Sequence, residues 1–332
     1  MAQRILLFSP VDAWSEALSA ELKGAGVAVE RISDLSRYAQ LLVERPQALN
    51  EPPEMVLVDV DGPQNEEGED WRSRRASLDI GLSAWTHAQP TLPVLTIADR
   101  RKRSELMELL KEDHRWHLTP RDEGTTTSEI LLTVRRHLGR DGFGLPEGIM
   151  KSCEPVSHQV RSSQQKDELL GSLGRFMEKV GVHRRVAASA RMVADEFIVN
   201  AVYNAPVDEK GNHLYRHRDR RQSVELAPKD EARFFYACDG DFLAVGVRDG
   251  FGSLKADTVR AYLLRAMQGG QDQIEQKKGG AGLGLFVTLE ASNKLFITIK
   301  PGEGTEFLAL FAIGGSYKTF ASRPKSFHLQ VV

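Results

Sequence analysis

The chain has 332 residues, more than one compact core of ordinary size holds, so two domains are expected. With 41% hydrophobic and 27% charged residues it reads as globular, neither disordered nor fibrous, and a net charge of -2 gives no general attraction to nucleic acid. No apolar stretch reaches membrane-spanning length, Met1 to Phe8 is too short for a secretory signal, and Cys153 and Cys238 match no metal-ligand spacing, so a cytoplasmic protein without membrane contact is expected.

From Met1 to about Gly139 strands and helices alternate. Arg4 to Phe8 is a short apolar run, and Ala13 to Lys23 has helical periodicity ending at Gly24 and Gly26. A strand at Val27 to Ile32, a helix at Leu35 to Glu44, and buried strands at Met55 to Val58 and Pro93 to Ile97 follow. Ser104 to Lys111 is a further helix, Trp116 to Leu118 a short strand, and Ser128 to Leu138 a closing amphipathic helix. Short apolar strands alternating with helices imply a doubly wound parallel sheet covered on both faces, with its working loops at the carboxyl ends of the strands. The acidic loop Glu66 to Asp70 and the basic clusters Arg100 to Arg103 and Arg216 to Arg221 read as solvated surface.

Asp59 ends the third strand, and Asp59-Val-Asp-Gly-Pro63 has the spacing of a phosphoacceptor aspartate and its following proline. On these residues the first half resembles the response-regulator receiver domain over its whole length. It departs from that family at the acidic pair after the first strand (Ser9 and Pro10, with Asp12 nearby), at the hydroxyl after the fourth (Ala98) and at the lysine before the last proline (Thr119). Phosphoryl transfer to a carboxylate needs a metal and a cation to neutralise developing charge. Asp59 is therefore read as a polar strand-end residue, and the domain as a pseudo-receiver used for docking or for forming a homodimer. Residues 1–140 make this domain, 141–155 a Gly-Pro-containing linker, and 156–332 the second domain.

Three signals follow in the second half. In Ala194 to Ala205, Val193, Phe197, Ile198 and Ala201 form one helical stripe, while Glu196, Asn200 and Asn204 stack along a neighbouring face. An amide oxygen is a neutral ligand suited to Mg²⁺, and a carboxylate one turn earlier can take a proton from an attacking hydroxyl or water. Next, Ala232 to Cys238 and Phe242 to Val247 flank the turn Asp239-Gly-Asp241, and the second strand runs into Arg248-Asp249-Gly-Phe251-Gly252. A buried acceptor at Asp249 suits an adenine amine, although an Asp-Gly turn is the commonest fate of such a dipeptide. Last, Gly279-Gly280-Ala-Gly282-Leu283-Gly284-Leu285 opens an apolar helix, where backbone N–H groups and the helix N-terminus make an anion cradle. The strand Leu295 to Ile299 and the turn Gly302-Glu-Gly304-Thr305 complete the series.

Jointly these segments resemble the N, G1 and G2 boxes of the superfamily of gyrases, heat-shock chaperones, histidine kinases and mismatch-repair ATPases (GHKL), over roughly residues 156–313. The resemblance implies a Bergerat-type α/β sandwich with a mixed sheet, and ATP and Mg²⁺ as cofactors. It makes Glu196 the catalytic base, Asn200 the Mg²⁺ ligand with Asn204 beside it, Asp249 and Thr305 the adenine-side residues with Gly252 in their loop, and Gly280, Gly282, Leu283 and Gly284 the phosphate cradle. Lys278, next to that cradle, is a candidate to neutralise the triphosphate. Phe251 stands where the family has a glycine and is expected to narrow the base pocket. Residues 253–278 correspond to the lid, with a helix at Asp257 to Met267. No histidine-bearing hairpin precedes the domain; the strand at His158 to Ser162 followed by the helix Lys166 to Val180 resembles the entry of the anti-sigma-factor serine kinases. That resemblance implies a regulatory protein partner, a sigma factor or a STAS-type antagonist. Two other functions stay open: a nucleotide-gated binding switch with little turnover, and a degenerate two-domain scaffold. The tail Lys325 to Val332 alternates like an extra strand that adds to a sheet edge within or between subunits.

Overall fold

The computed structural model describes residues 4–33, 53–60, 92–98, 115–121, 124–139, 142–268 and 283–332. The chain divides into two compact units, Met1–Asp141 and Gly142–Val332.

In the first unit, β1 (Arg4–Phe8), α1 (Ala13–Gly24), β2 (Ala28–Ile32), β3 (Met55–Asp59), β4 (Val94–Ile97), β5 (Arg115–Thr119) and α2 (Thr126–His137) follow one another. The five strands are parallel, in the order β2-β1-β3-β4-β5, which is the doubly wound flavodoxin-like arrangement. β3 and β4 are buried throughout, as their unbroken apolar runs require of strands covered on both faces. Ile130 and Val134 of α2 and Leu18 and Leu22 of α1 pack on Ile5, Leu57 and Leu95 of the sheet. Asp12 starts α1 with a reciprocal cap: its carboxyl accepts from the Ser15 amide at 2.8 Å, and Ser15 Oγ accepts from the Asp12 amide at 3.2 Å. The helices expected at 35–44 and 104–111, the acidic loop 66–70 and the basic cluster 100–103 lie outside the described residues.

Asp59 is fully buried, and its carboxylate accepts from Ser9 Oγ at 3.0 Å and from Arg121 Nε at 2.9 Å. Arg121 also pairs with Asp12, and its guanidinium stands 4.6 Å from the centre of the Trp14 ring. Asp59 is thus held in a buried ion pair, with a cation placed two residues beyond Thr119.

The second unit contains β6 (Val156–Val160), α3 (Lys166–Lys179), α4 (Arg184–Val199), β7 (Ala232–Cys238), β8 (Phe242–Asp249), α5 (Ala256–Gln268), α6 (Leu283–Ala291), β9 (Lys294–Lys300), β10 (Gly304–Ala312), α7 (Tyr317–Ser322) and β11 (Ser326–Val331). Its strands run β11-β9-β10-β8-β7-β6. β11 is parallel to β9 and the other pairs are antiparallel, so the sheet is mixed. The β7–β8 turn forms because Asp239 Oδ1 accepts from the amides of Asp241 and Phe242, with Gly240 at φ +96°. α4 packs on α3, α6 and the sheet through Val193, Phe197 and Ile198, and Phe197 meets Phe307 of β10 at 5.4 Å between ring centres.

Residues 142–155, expected as a linker, pack on the second unit. The Phe143 ring lies 3.9 Å from the Arg248 guanidinium and 5.1 Å from Lys300 Nζ, and the Gly144 amide donates to the Glu306 carboxylate at 2.9 Å. An aromatic face between two cations has a stabilising partner that a solvated linker lacks. The alternating tail becomes β11, which pairs in parallel with β9 of the same chain. Cys153 and Cys238 are both free thiols. No helix among the described residues is long and apolar enough to cross a membrane.

Candidate functional site

The end of α4 does not stop as an ordinary helix. The Ala205 amide reaches back five residues to the Asn200 carbonyl at 2.9 Å, so Asn200–Asn204 forms one wide π-turn, a feature that recurs at functional sites. Along it runs a line of side chains: Asn204 Nδ2 donates to Asn200 Oδ1 at 2.5 Å, and Asn200 Nδ2 donates to Glu196 Oε1 at 3.0 Å. Burial raises the Glu196 carboxyl above its usual range, and the bond from Asn200 and the charge of Arg220 oppose that rise. The start of α6 presses against the same carboxyl. A Cβ added at Gly284 would lie 2.1 Å from Glu196 Cδ and Oε1, so the approach requires glycine.

Asp249 closes β8 opposite Thr305 of β10 and is 5% exposed. The following turn wraps onto it: Oδ1 accepts from the amides of Phe251 at 2.8 Å and Gly252 at 3.2 Å. The Asp-Gly turn and the buried acceptor are therefore one structure. Burial pushes the carboxyl up to about 6, held back by the amides of Phe251, Gly252 and Thr305. Thr305 is 1% exposed; its hydroxyl lies against the same carboxyl and helps to hold it down, yet makes no well-formed hydrogen bond among the described residues. Gly252 sits at φ +57°, and a Cβ there would meet the Lys300 carbonyl at 2.0 Å. Gly304 is pressed against the Asp249 carbonyl in the same way, at 2.6 Å.

Glu196, Asn200, Asn204, Asp249 and Thr305 converge on one cavity of about 340 Å³, with Val259, Tyr262, Leu285 and Phe307 as its apolar wall. Phe251, Gly252 and Gly284, picked from the sequence, are not among its lining residues. Gly252 holds the β8 loop against the β9–β10 turn, and Phe251 contributes its amide to Asp249, so its ring does not narrow the cavity as expected. Leu283 and Gly284 open α6. Lys278, Gly280 and Gly282 lie outside the described residues.

His213, Arg216 and Lys255, none of them singled out as a site residue in the sequence, also line the cavity, and Arg216 and Lys255 bring positive charge to its wall. Arg216 was read as solvated surface. Its guanidinium instead hydrogen-bonds the Tyr262 hydroxyl of α5 and is half-buried. Ser253 Oγ donates to the Ala205 carbonyl at 2.7 Å, tying the loop after β8 to the π-turn. His213 and Arg216 belong to the Arg- and His-rich segment 206–222 directly after the Glu196 helix, which the sequence places near the pocket rim as a partner surface or an insertion.

A buried carboxylate acceptor beside an unpartnered hydroxyl suits a flat head group bearing a donor, and the cations suit an anionic tail. Among the described residues no three His, Cys, Asp or Glu side chains cluster as a metal site. A cation at Asn200 Oδ1 would take its other ligands from water or ligand oxygens, the habit of Mg²⁺ and not of Zn²⁺.

No family model matches the chain, and no curated protein does. Solved structures similar to the chain include response regulators. RcsB of Salmonella typhimurium, in two structures of one variant, has 10% identity and a TM-score of 0.30. In one structure the match spans 56% of this chain and 88% of that one, and in the other 60% and 92%. DrrB of Thermotoga maritima, an OmpR/PhoB homologue, has 13% identity and a TM-score of 0.32 over 67% of this chain and 93% of its own. Overlap at these TM-scores does not define a shared fold for the whole chain.

Proposed function

We propose that the second unit is a Mg-ATP-binding domain of the GHKL type that phosphorylates a serine or threonine of a regulatory protein, in the manner of the anti-sigma kinases. What supports this reading most is the convergence of three distant segments, at 196–204, 249 and 305, on one cavity with the chemistry each motif implies. The Asp249 carboxylate accepts from the adenine amine, and the Thr305 hydroxyl, buried without a partner, is satisfied at the same end of the base. Asn200 Oδ1 is the protein's ligand to magnesium, which supplies charge neutralisation at the phosphates when bound. Arg216 and Lys255 add positive charge along the wall. Glu196, made more basic by burial, takes the proton of the attacking hydroxyl. The first unit, with Asp59 closed off by Arg121, serves as a docking or dimerising module.

Two variants divide binding from chemistry. Glu196→Gln keeps ATP binding and lowers transfer to a co-purified STAS-type antagonist or sigma factor by about 10²–10⁴-fold, the usual loss for a general base. Asp249→Asn weakens ATP binding first. Transfer untouched by Glu196→Gln would remove the catalytic role, and ATP binding without any transfer would make the protein a nucleotide-gated switch.

A further inference from the structure

The segment after the π-turn passes the cavity and returns toward β7, and its return is pinned to the turn itself. Tyr203, 3% exposed, donates its hydroxyl to the Gln222 carbonyl at 2.9 Å and lies 3.3 Å from that of Arg220. The Arg220 guanidinium stacks 4.5 Å above the Tyr203 ring, and its Nη2 donates to Asn204 Oδ1 at 3.3 Å. The line of side chains is therefore four residues long: Arg220 to Asn204, Asn204 to Asn200, Asn200 to Glu196.

The two ends fix its direction. A guanidinium only donates and an ionised carboxylate only accepts. Each amide between them must turn its oxygen toward Arg220 and its NH₂ toward Glu196. Reversing either amide would set donor against donor or acceptor against acceptor. With Arg220 gone, Asn204 has no donor ordering its oxygen, and reversal of the Asn204–Asn200 pair costs less.

We infer that Arg220 is a positioning residue, which orients the Asn204 and Asn200 amides so that Asn200 offers its carbonyl oxygen, not its NH₂, to a divalent cation. This rests on the Mg-ATP reading. A carbonyl oxygen has two lone pairs; Asn204 takes one, and the other is left for a hard cation that binds oxygen and not a protonated amide. Arg220 itself is solvent-exposed, so its direct Coulombic effect on a bound ion is small and its influence passes through the two amides. The stack on Tyr203 gives the exposed side chain the fixed placement that this role needs.

The test is calorimetric titration of ATP into the full chain, once with Mg²⁺ and once with EDTA, for wild type, Arg220→Ala, Arg220→Gln and Arg220→Lys. A general loss of positive charge weakens the EDTA titration more than the Mg²⁺ one, because free ATP carries more negative charge than Mg-ATP, so it would enlarge the Mg²⁺ gain, and a smaller gain isolates the positioning role. Arg220→Ala and Arg220→Gln should shrink the Mg²⁺-dependent gain by about 10-fold to 100-fold, the usual loss when a partner that orients a metal ligand is removed. Arg220→Lys, still a pure donor, should retain most of the gain. Tyr203→Phe, which removes the hydroxyl anchoring the segment, should give an intermediate value if Arg220→Ala does not fold. A wild-type gain that survives in both Arg220→Ala and Arg220→Gln overturns this inference and leaves the Mg-ATP reading standing. A folded wild type that binds no Mg-ATP overturns both.

Discussion

Two glycines of the second unit pose the same steric problem with opposite outcomes. Replacing Gly284 by alanine puts a Cβ 2.1 Å from the Glu196 carboxyl, and replacing Gly252 puts one 2.0 Å from the Lys300 carbonyl. At 284 the obstacle is the end of a flexible side chain, which rotates away and gives up its bond from Asn200. Losing a hydrogen bond to a charged group costs about 1.5–3 kcal/mol. Alanine in a helix regains about 1 kcal/mol over glycine, so the net cost stays within about 2 kcal/mol. At 252 the obstacle is backbone, and the residue sits at φ +57°, where a side chain is strained. The left-handed conformation costs about 1–2 kcal/mol and the forced backbone shift about 1–3 kcal/mol more. All four tryptophans, at 14, 71, 85 and 116, belong to the first unit. A denaturant transition seen by far-UV circular dichroism but absent from tryptophan fluorescence therefore reports the second unit. Gly252→Ala should shift that transition strongly. Gly284→Ala should shift it little while lowering phosphoryl transfer by the same 10²–10⁴-fold as loss of the base. If Gly284→Ala unfolds as early as Gly252→Ala, or transfers phosphate like wild type, the placement of Glu196 against α6 is wrong.

Arg121→Ala leaves the fully buried Asp59 carboxylate without its guanidinium and should cost about 3–5 kcal/mol, read as an earlier tryptophan-fluorescence transition. With that pair intact, beryllofluoride should leave the amide spectra of the first unit unchanged; a response lost in Asp59→Asn would contradict the closed reading. Because burial raises the folded Asp249 carboxyl to about 6, ATP affinity should fall as pH drops below about 6, by at most about tenfold per unit. The same shift means the folded state prefers the proton between the normal carboxylate range and 6. Stability is lost as pH rises through that window, by an amount on the order of 3 kcal/mol. Asp249→Asn, which can still accept from Phe251 and Gly252, should melt higher than wild type at pH 7, with the gap closing toward pH 4. A gap independent of pH would refute the assignment.

The sequence carried the strands of the first unit because unbroken apolar runs such as Met55–Asp59 have few other fates in an alternating α/β pattern. It carried Glu196, Asn200 and Asn204 because a spacing of four maps directly onto one helical face. It did not carry the widening at Asn200, since an i to i+5 bond leaves the residue pattern unchanged. Arg121 is hidden for a similar reason: the position before Pro120 holds Thr119, and a long guanidinium reaches Asp59 from the other side of that proline. Residues 142–155 read as linker because Gly and Pro mark turns whether or not a flanking ring, here that of Phe143, finds partners. Arg216 and Arg220 looked like solvated charge because nothing local says that the segment folds back over Tyr203 and toward Tyr262. Long-range return of a polar loop is a tertiary property, and periodicity has no signal for it.

The central claim is that the cavity of the second unit takes ATP with magnesium, and titration calorimetry of ATP into the folded full chain tests it most directly. The account predicts saturable binding of one ATP per chain that tightens when Mg²⁺ is present, with the magnesium gain removed in Asn200→Ala and the nucleotide affinity itself weakened in Asp249→Asn. A folded wild-type protein that gives no binding heat with Mg-ATP at several temperatures, or one whose binding is indifferent to both substitutions, would contradict it.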